Sequence, residues 1–540
     1  MIFFLKTGKI LSIFLTLGIG LFLGGISFLE ISFPFWLSVL FFFIFFLFSL
    51  FFFKQALSIF VVSSVFEIIN FLPESVSFSL RPYQFFALSL FFSSCIRFFI
   101  FERKNIQLKF QNLFPHLKCK KINTIPFHFR FIDGGVLLLG IGSLLSSFFS
   151  PFFQESFRLS IIMLSFLFMY GIIRWNFRTK KDVFSLFPWI IFDFFLLACW
   201  GIFQNIAFLQ HWTFPSESMP GRPNGFFSEP DWFGLGMALA LILLVHTFLF
   251  FREKYQKKLF FIIIGIALLF VCVALIISVS RSAWLASSFG LIILFIFSFL
   301  EYGMKSMQKI GFLLLFFLVA ILYVRIIPLT HFELQNRFQS SISGLQEITI
   351  SCQKEMIFSE NLTYSLEELS KMGCYHINLE EREKEESLGK FVTRVFRNDP
   401  NVSERKNVWM KSFQALREYG FFGVGWGSME FLFGYDGRGE ILNASNIFLN
   451  IAIGSGLLGV IGLFFIFGDI VRSIFQSIFS RKRSTRIIGY GIFSTFCVVG
   501  IFNFFNSAEF LGMLWMWLGL VVPLLYEKSS QSDDPRKKVN

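Results

Sequence analysis

The chain is a succession of uninterrupted apolar runs, most of them about 16 to 25 residues long, and that repeat leaves few folds open. A run of that length crosses the hydrocarbon of a bilayer as a helix, because only there can every backbone N–H and C=O find a partner within its own segment. The runs fall near 9–29, 32–53, 56–72, 83–101, 131–149, 158–175, 185–207, 231–251, 259–279, 283–300, 310–328, 444–468, 487–506 and 509–526. They predict an all-α, polytopic membrane helix bundle of about fourteen spans, with 56–72, which carries Glu67, the weakest. A composition 55% apolar and 15% charged, with mean hydropathy +0.67, excludes a soluble globular chain. With 86 phenylalanines, aromatic stripes read as lipid-facing surface and carry no information about cofactors.

Lys and Arg fix the expected orientation. They concentrate in Arg103 to Arg130 (with Lys118, Lys120 and Lys121), Arg174 to Lys181, Arg252 to Lys258, Lys305 to Lys309 and Arg472 to Arg486. These loops alternate with loops poor in both residues, which puts the basic loops and both termini in the cytoplasm. Topology and anionic headgroups account for the formal charge of +13, and nucleic acid is not needed as a partner. Arg222, Arg281, Arg325 and Arg405 fall on the opposite side, where the rule disfavours them; each reads either as a functional cation or as an interfacial arginine.

Gly221-Arg222-Pro223-Asn224-Gly225-Phe226-Phe227-Ser228-Glu229-Pro230-Asp231 interrupts two apolar runs with residues that stop helices. It predicts a rigid ledge at the membrane surface carrying Arg222, Glu229 and Asp231, suited to a charged headgroup or serving as an ordinary polar loop. Ser278 to Trp284 is so short a turn that it pins Arg281 at the outer interface. A guanidinium there suits a phosphate or diphosphate, since its planar fork of N–H donors stays charged. Within the spans, Asp193, Gln204 and Asn205 need inward-facing partners, most simply hydrogen bonds between helices.

The chain divides into a membrane scaffold with its basic loop at 1–130, a membrane core at 131–328, an outer loop domain at 329–443, C-terminal membrane helices at 444–527 and a cytoplasmic tail at 528–540. The outer loop is expected to be helical. Its charged run Glu380 to Glu386 reads as a solvated helix face, and Cys352 and Cys374, alone of seven cysteines in that compartment, are placed to pair if it is oxidising. Residues 404–419, with Trp409, Phe413 and Leu416 apolar, predict an amphipathic helix that holds Arg405 near the membrane. Gly423-Val424-Gly425 follows as a flexible turn.

The order of these elements resembles the O-antigen ligase and polymerase superfamily of bacterial inner-membrane glycosyltransferases. The likeness is carried by Arg222 with Gly225-Phe226, Ser280-Arg281-Ser282-Ala283, a long loop, Arg405 with Trp409, Gly423-Val424-Gly425, and Asn446-Ile447-Phe448-Leu449 before Gly454 and Gly456. The resemblance implies a GT-C-like membrane fold acting outside the cytoplasm on a glycan carried by a polyprenyl diphosphate. The acceptor would be a growing glycan, a lipid A core or a protein hydroxyl, and the surrounding partner is membrane lipid. Carried over, Arg222, Arg281 and Arg405 hold the donor diphosphate, with Gly225, Trp409, Gly423, Gly425, Ser445 and Asn446 lining the substrate site. No metal and no cofactor is implied, since positive charge at the leaving group suffices.

One position departs from the family pattern. Ser445 stands where ligases usually carry a histidine before Asn446, so a base must come from Glu229, His331 or His376, or the arginines do most of the work. That departure favours polymerase slightly over ligase. A transporter or flippase for a glycolipid or small anion is the rival reading, from polar groups inside a bundle, but a carrier does not need the large outer loop.

Overall fold

The computed structural model describes residues 35–72, 79–102, 128–212, 221–250, 258–326, 345–359, 362–377, 382–398, 400–434 and 442–526. The expected span 9–29, most of the basic loops 103–130 and 252–258, Cys119, His331 and the tail 528–540 lie outside them. Every other expected apolar run contains a helix: α1 Phe35–Phe51, α2 Phe53–Val62, α3 Pro82–Glu102, α4 Phe131–Phe149, α5 Phe153–Asn176, α6 Lys180–Leu209, α7 Pro230–Phe250, α8 Lys258–Ile277, α9 Arg281–Tyr302 and α10 Lys305–Ile326. After the outer domain come α15 Ile447–Ile478, α16 Arg483–Phe504 and α17 Gly512–Leu525. Among the described residues, nine helices are long and apolar enough to cross a membrane. The chain is thus an all-α multi-pass membrane protein, with a small sheet outside the bundle.

The weak run at 56–72 does end early. After α2 and a 3-10 turn at Ser63–Val65 the backbone leaves the helix, and Glu67 accepts hydrogen bonds from Tyr83 Oη (2.7 Å) and Gly512 N (3.1 Å) and pairs with Arg81 (3.1 Å). A buried carboxylate needs such partners, so the apolar run stops where they can be reached.

Two packing features shape the bundle. α7 is buried on nearly all sides, consistent with its uniformly apolar surface. α4 lies against α15 at backbone distance: a Cβ on Gly135 would stand 2.4 Å from the Gly462 carbonyl oxygen, and one on Gly142 2.6 Å from that of Ser455. Small residues allow this approach where lipid supplies no hydrophobic drive between helices. α15 itself is broken at Gly456, whose φ of 61° no continuing helix adopts.

Antiparallel α9 and α16 define two ends of the bundle. At the end nearer the basic loops, Glu301 receives Arg486 Nη2 (3.0 Å), Arg483 Nε (3.0 Å) and Tyr490 Oη (3.2 Å). At the other, Ser282 Oγ accepts from Asn506 Nδ2 (2.8 Å).

The outer domain corrects the expectation of an all-helical loop. It contains β1 Leu345–Cys352, α11 Leu366–Lys371, β2 Cys374–Ile377, α12 Arg382–Ser387, β3 Phe391–Asn398 and then α13 Pro400–Tyr419 and α14 Met429–Phe433. The strands form an antiparallel sheet in the order β2-β1-β3, with Ile350 opposite His376 and Thr393. Ile348, Ile350 and Cys352 alternate along β1 and bury one face with Leu369, Cys374 and Val395. Cys352 and Cys374 are joined by a disulfide at adjacent register positions of β1 and β2. Part of the charged run does form a helix, α12, and its Glu385 accepts from Tyr375 Oη, Lys390 Nζ (2.9 Å) and Ser351 Oγ (2.8 Å). Those hydrogen bonds, Tyr375 first, hold its carboxyl down at about 2.

Candidate functional site

The ledge is more deeply set than a surface loop. Gly221 to Phe227 are buried, while Ser228 and Glu229 remain exposed just before α7. Gln204 of α6 explains much of this: its Oε1 accepts from Gly225 N (2.8 Å) and its Nε2 donates to Asn224 Oδ1 (3.3 Å). Gly225 has a φ of 62°, and a Cβ there would lie 2.7 Å from the Phe233 ring. The next residue, Phe226, stacks on Trp200 and accepts from Glu67 N (2.8 Å) at its carbonyl.

Held this way, Arg222 points at the α8–α9 turn. Its Nε donates to the Ser278 carbonyl (3.3 Å), and its Nη2 lies 3.4 Å from both the Val279 carbonyl and the Asp231 carboxylate. Val279 is buried with a φ of 52°, a strained conformation for a β-branched residue, and it lies two residues before Arg281. Arg281 opens α9, half-buried, with Ser280 and Ser282 Oγ atoms 3.3 Å apart around it.

The third arginine arrives from α13. Arg405 is half-buried with its guanidinium carbon 5.9 Å from the centre of the Phe505 ring. One turn on, Trp409 Nε1 donates to the Ala444 carbonyl (2.9 Å) and its ring meets Phe504 edge-on. The two following residues complete the head of α15. Ser445, half-buried at φ 46°, donates its backbone N–H to Asn443 Oδ1 (2.7 Å). Asn446 caps α15 by accepting from Phe448 N (3.0 Å) and Leu449 N (3.2 Å), and donates to the Phe504 carbonyl (3.0 Å).

The segment 505–511 between α16 and α17 therefore joins the parts. Asn506 reaches Ser282 beside Arg281, Phe505 lies by Arg405, and Ser507 Oγ donates to Asn443 Oδ1 (3.2 Å). In sequence it is only the short gap between the apolar runs 487–506 and 509–526, although Asn506, Ser507 and Glu509 are polar between two apolar helices. Glu509 is buried, with Oε1 accepting from Asn450 Nδ2 (2.8 Å), and Asn450 Oδ1 in turn holds Ala444 N (3.0 Å). Burial pushes the Glu509 carboxyl up to about 7, against the opposing pull of the Asn450 hydrogen bond.

Other expected site residues lie elsewhere or act as scaffold. Gly423-Val424-Gly425 is clamped, in place of the flexible turn expected. Val424 N and Gly425 N donate to the Ile453 carbonyl (2.8 and 3.0 Å) next to the break in α15, and a Cβ on Gly425 would lie 2.5 Å from Ser156 Oγ. His376 is exposed on β2, and Arg325 is exposed in the last turn of α10.

Residues 266–464 match the family described as O-antigen ligase. Over that stretch, somewhat more than a third of its length, the chain carries the pattern of the O-antigen ligase/polymerase superfamily. The matched stretch takes in Arg281, Arg405, Trp409, Ser445 and Asn446, while Arg222 and the 505–511 segment lie outside it. No curated protein matches the chain. The match supports membrane glycan transfer of the O-antigen ligase or polymerase type.

Proposed function

We propose that the protein transfers a glycan from a polyprenyl-diphosphate carrier to a hydroxyl acceptor on the non-cytoplasmic face of the bacterial inner membrane, as a polymerase of surface polysaccharide. The reading is supported by three placements: Arg222 on the Ser278 carbonyl, Arg281 three residues further along the same turn, and Arg405 over Phe505, whose neighbour Asn506 reaches Ser282. In the reaction an acceptor oxygen attacks the anomeric carbon and the bond from that carbon to the diphosphate breaks. The diphosphate leaves with the electron pair, and guanidinium groups at that point stabilise the charge as it develops. The acceptor proton passes to a carboxylate, for which exposed Glu229 at the mouth is our assignment, or through it to water. Ser445, in its strained turn, positions the acceptor, while Gly225, Gly423 and Gly425 enter as residues that let the backbone approach closely. The buried disulfide supports an oxidising compartment for the outer domain.

A surface-glycan gel of a deletion strain tests the assignment. Loss of the long ladder with a single capped repeat retained is expected for a polymerase. Loss of every capped repeat would replace polymerase with ligase, and an unchanged pattern would remove both.

A further inference from the structure

α13 carries a second surface that the sugar-transfer reading does not use. Its inner face buries Val408, Ser412 and Ala415, and Trp409 and Leu416 are partly covered, but Phe413 points outward. The expected apolar face of 409, 413 and 416 is therefore split. Outward, at intervals of three or four residues, stand Lys406, Met410, Phe413 and Arg417, and Phe421 extends the row in the 3-10 turn that follows. The three apolar members are 54%, 60% and 55% exposed, and both cations are exposed. Arg405 lies roughly a quarter-turn from Lys406, off the row, and sits over Phe505.

The height of this row is set by its neighbours. Phe422 stacks at 3.9 Å on Phe149, the last residue of α4, and Phe431 stacks at 3.7 Å on Phe152, just before α5 begins. The turn between two spans marks the boundary between hydrocarbon and water, so the C-terminal end of α13 lies at headgroup level. A helix face that interleaves cations with large apolar side chains at that depth matches an anionic lipid surface: the apolar groups enter the acyl boundary and the cations meet phosphate. We infer that the Lys406–Met410–Phe413–Arg417–Phe421 row is an interfacial anchor that binds anionic phospholipid headgroups and fixes α13, with Arg405 on its inner side, against the bilayer.

The test uses the full-length protein in nanodiscs of phosphatidylcholine mixed with phosphatidylglycerol, with a photo-crosslinking phenylalanine analogue at position 413. A second position, Phe464, 72% exposed on the spanning helix α15, serves as the reference for ordinary lipid contact. Mass spectrometry is expected to show phosphatidylglycerol adducts at 413 enriched severalfold over the reference position. K406E/R417E is expected to abolish that enrichment and leave position 464 unchanged. Adducts without headgroup preference, adducts to protein, or no adduct at 413 would each overturn the proposal. Should the charge-reversed protein fail to fold, the headgroup ratio at 413 against 464 in the unaltered charge background decides the matter alone. None of these readouts depends on glycan transfer, so the anchor and the proposed activity stand or fall separately.

Discussion

The two ends of the bundle use arginine in opposite ways. Near the basic loops, Arg483 and Arg486 close on Glu301, and Arg174 closes on Asp133 (3.1 Å), which also receives Tyr170 Oη (2.6 Å). These cations meet carboxylates of adjoining helices and lock spans together. At the far end Arg222 reaches two main-chain carbonyls of a strained turn together with the Asp231 carboxylate, Arg281 opens α9 just after that turn, and Arg405 on α13 lies over Phe505. The same side chain thus serves as a strut between spans at one end, and at the other is oriented by turn carbonyls, an aromatic ring and, for Arg222, the Asp231 carboxylate.

This contrast is open to direct attack. The largest effect is expected at Arg281→Lys, which keeps the charge and loses the fork: transfer to acceptor should fall by about 100-fold or more while the protein inserts at normal levels. Normal glycan length in that variant would sink the diphosphate role. Asp133→Ala should do the reverse, costing about 3–5 kcal/mol by leaving Arg174 buried without its carboxylate. Its signature is a lower unfolding temperature with activity per folded molecule retained; a loss of activity without loss of stability would erase the distinction between the ends. Cys352→Ser with Cys374→Ser should weaken the outer sheet by about 3 kcal/mol, given a 22-residue separation. Limited proteolysis should then cut between 345 and 398 while the spans stay protected, and two free thiols in the unaltered protein by non-reducing mass spectrometry would remove the bridge.

The smallest effect belongs to pH. The Glu509 carboxyl, raised from its ordinary 4.5 to about 7, binds its proton more tightly in the folded protein. Its contribution is therefore fully present below 4.5 and is lost as pH rises through 7. Glu509→Gln should flatten the fall in unfolding temperature across that window, and an unchanged slope would place the titration elsewhere.

The spans were legible because lipid imposes one continuous demand on every residue of a run, and a single residue such as Glu67 suffices to mark where the demand fails. The arginines were legible for the converse reason: they stand where topology disfavours them. The outer sheet was hidden by its charges, although Ile348, Ile350 and Cys352 repeat at the period of a strand and share the register that brings Cys352 to Cys374. The 505–511 segment was hidden for a different reason. Asn506 and Glu509 have no local pattern, and their meaning lies in Ser282 and Asn450, far away in sequence. The strain at Val279 and Ser445 likewise belongs to the assembled fold, since neither residue type announces a left-handed backbone.

The interruption of α15 at Gly456 gives its two halves separate duties. Both parts are fastened to α4, the longer through Gly462 against Gly135 and the shorter through Ser455 against Gly142, but the short part also bears Asn446 and the Ser445 turn at its tip. Because the amides of Val424 and Gly425 occupy the Ile453 carbonyl at that break, the lean of the short part is dictated by the strand of chain returning from the outer domain. A graft that swapped the outer domain but disturbed those two amides would shift the Ser445 turn and the Asn446 cap even with every arginine in place.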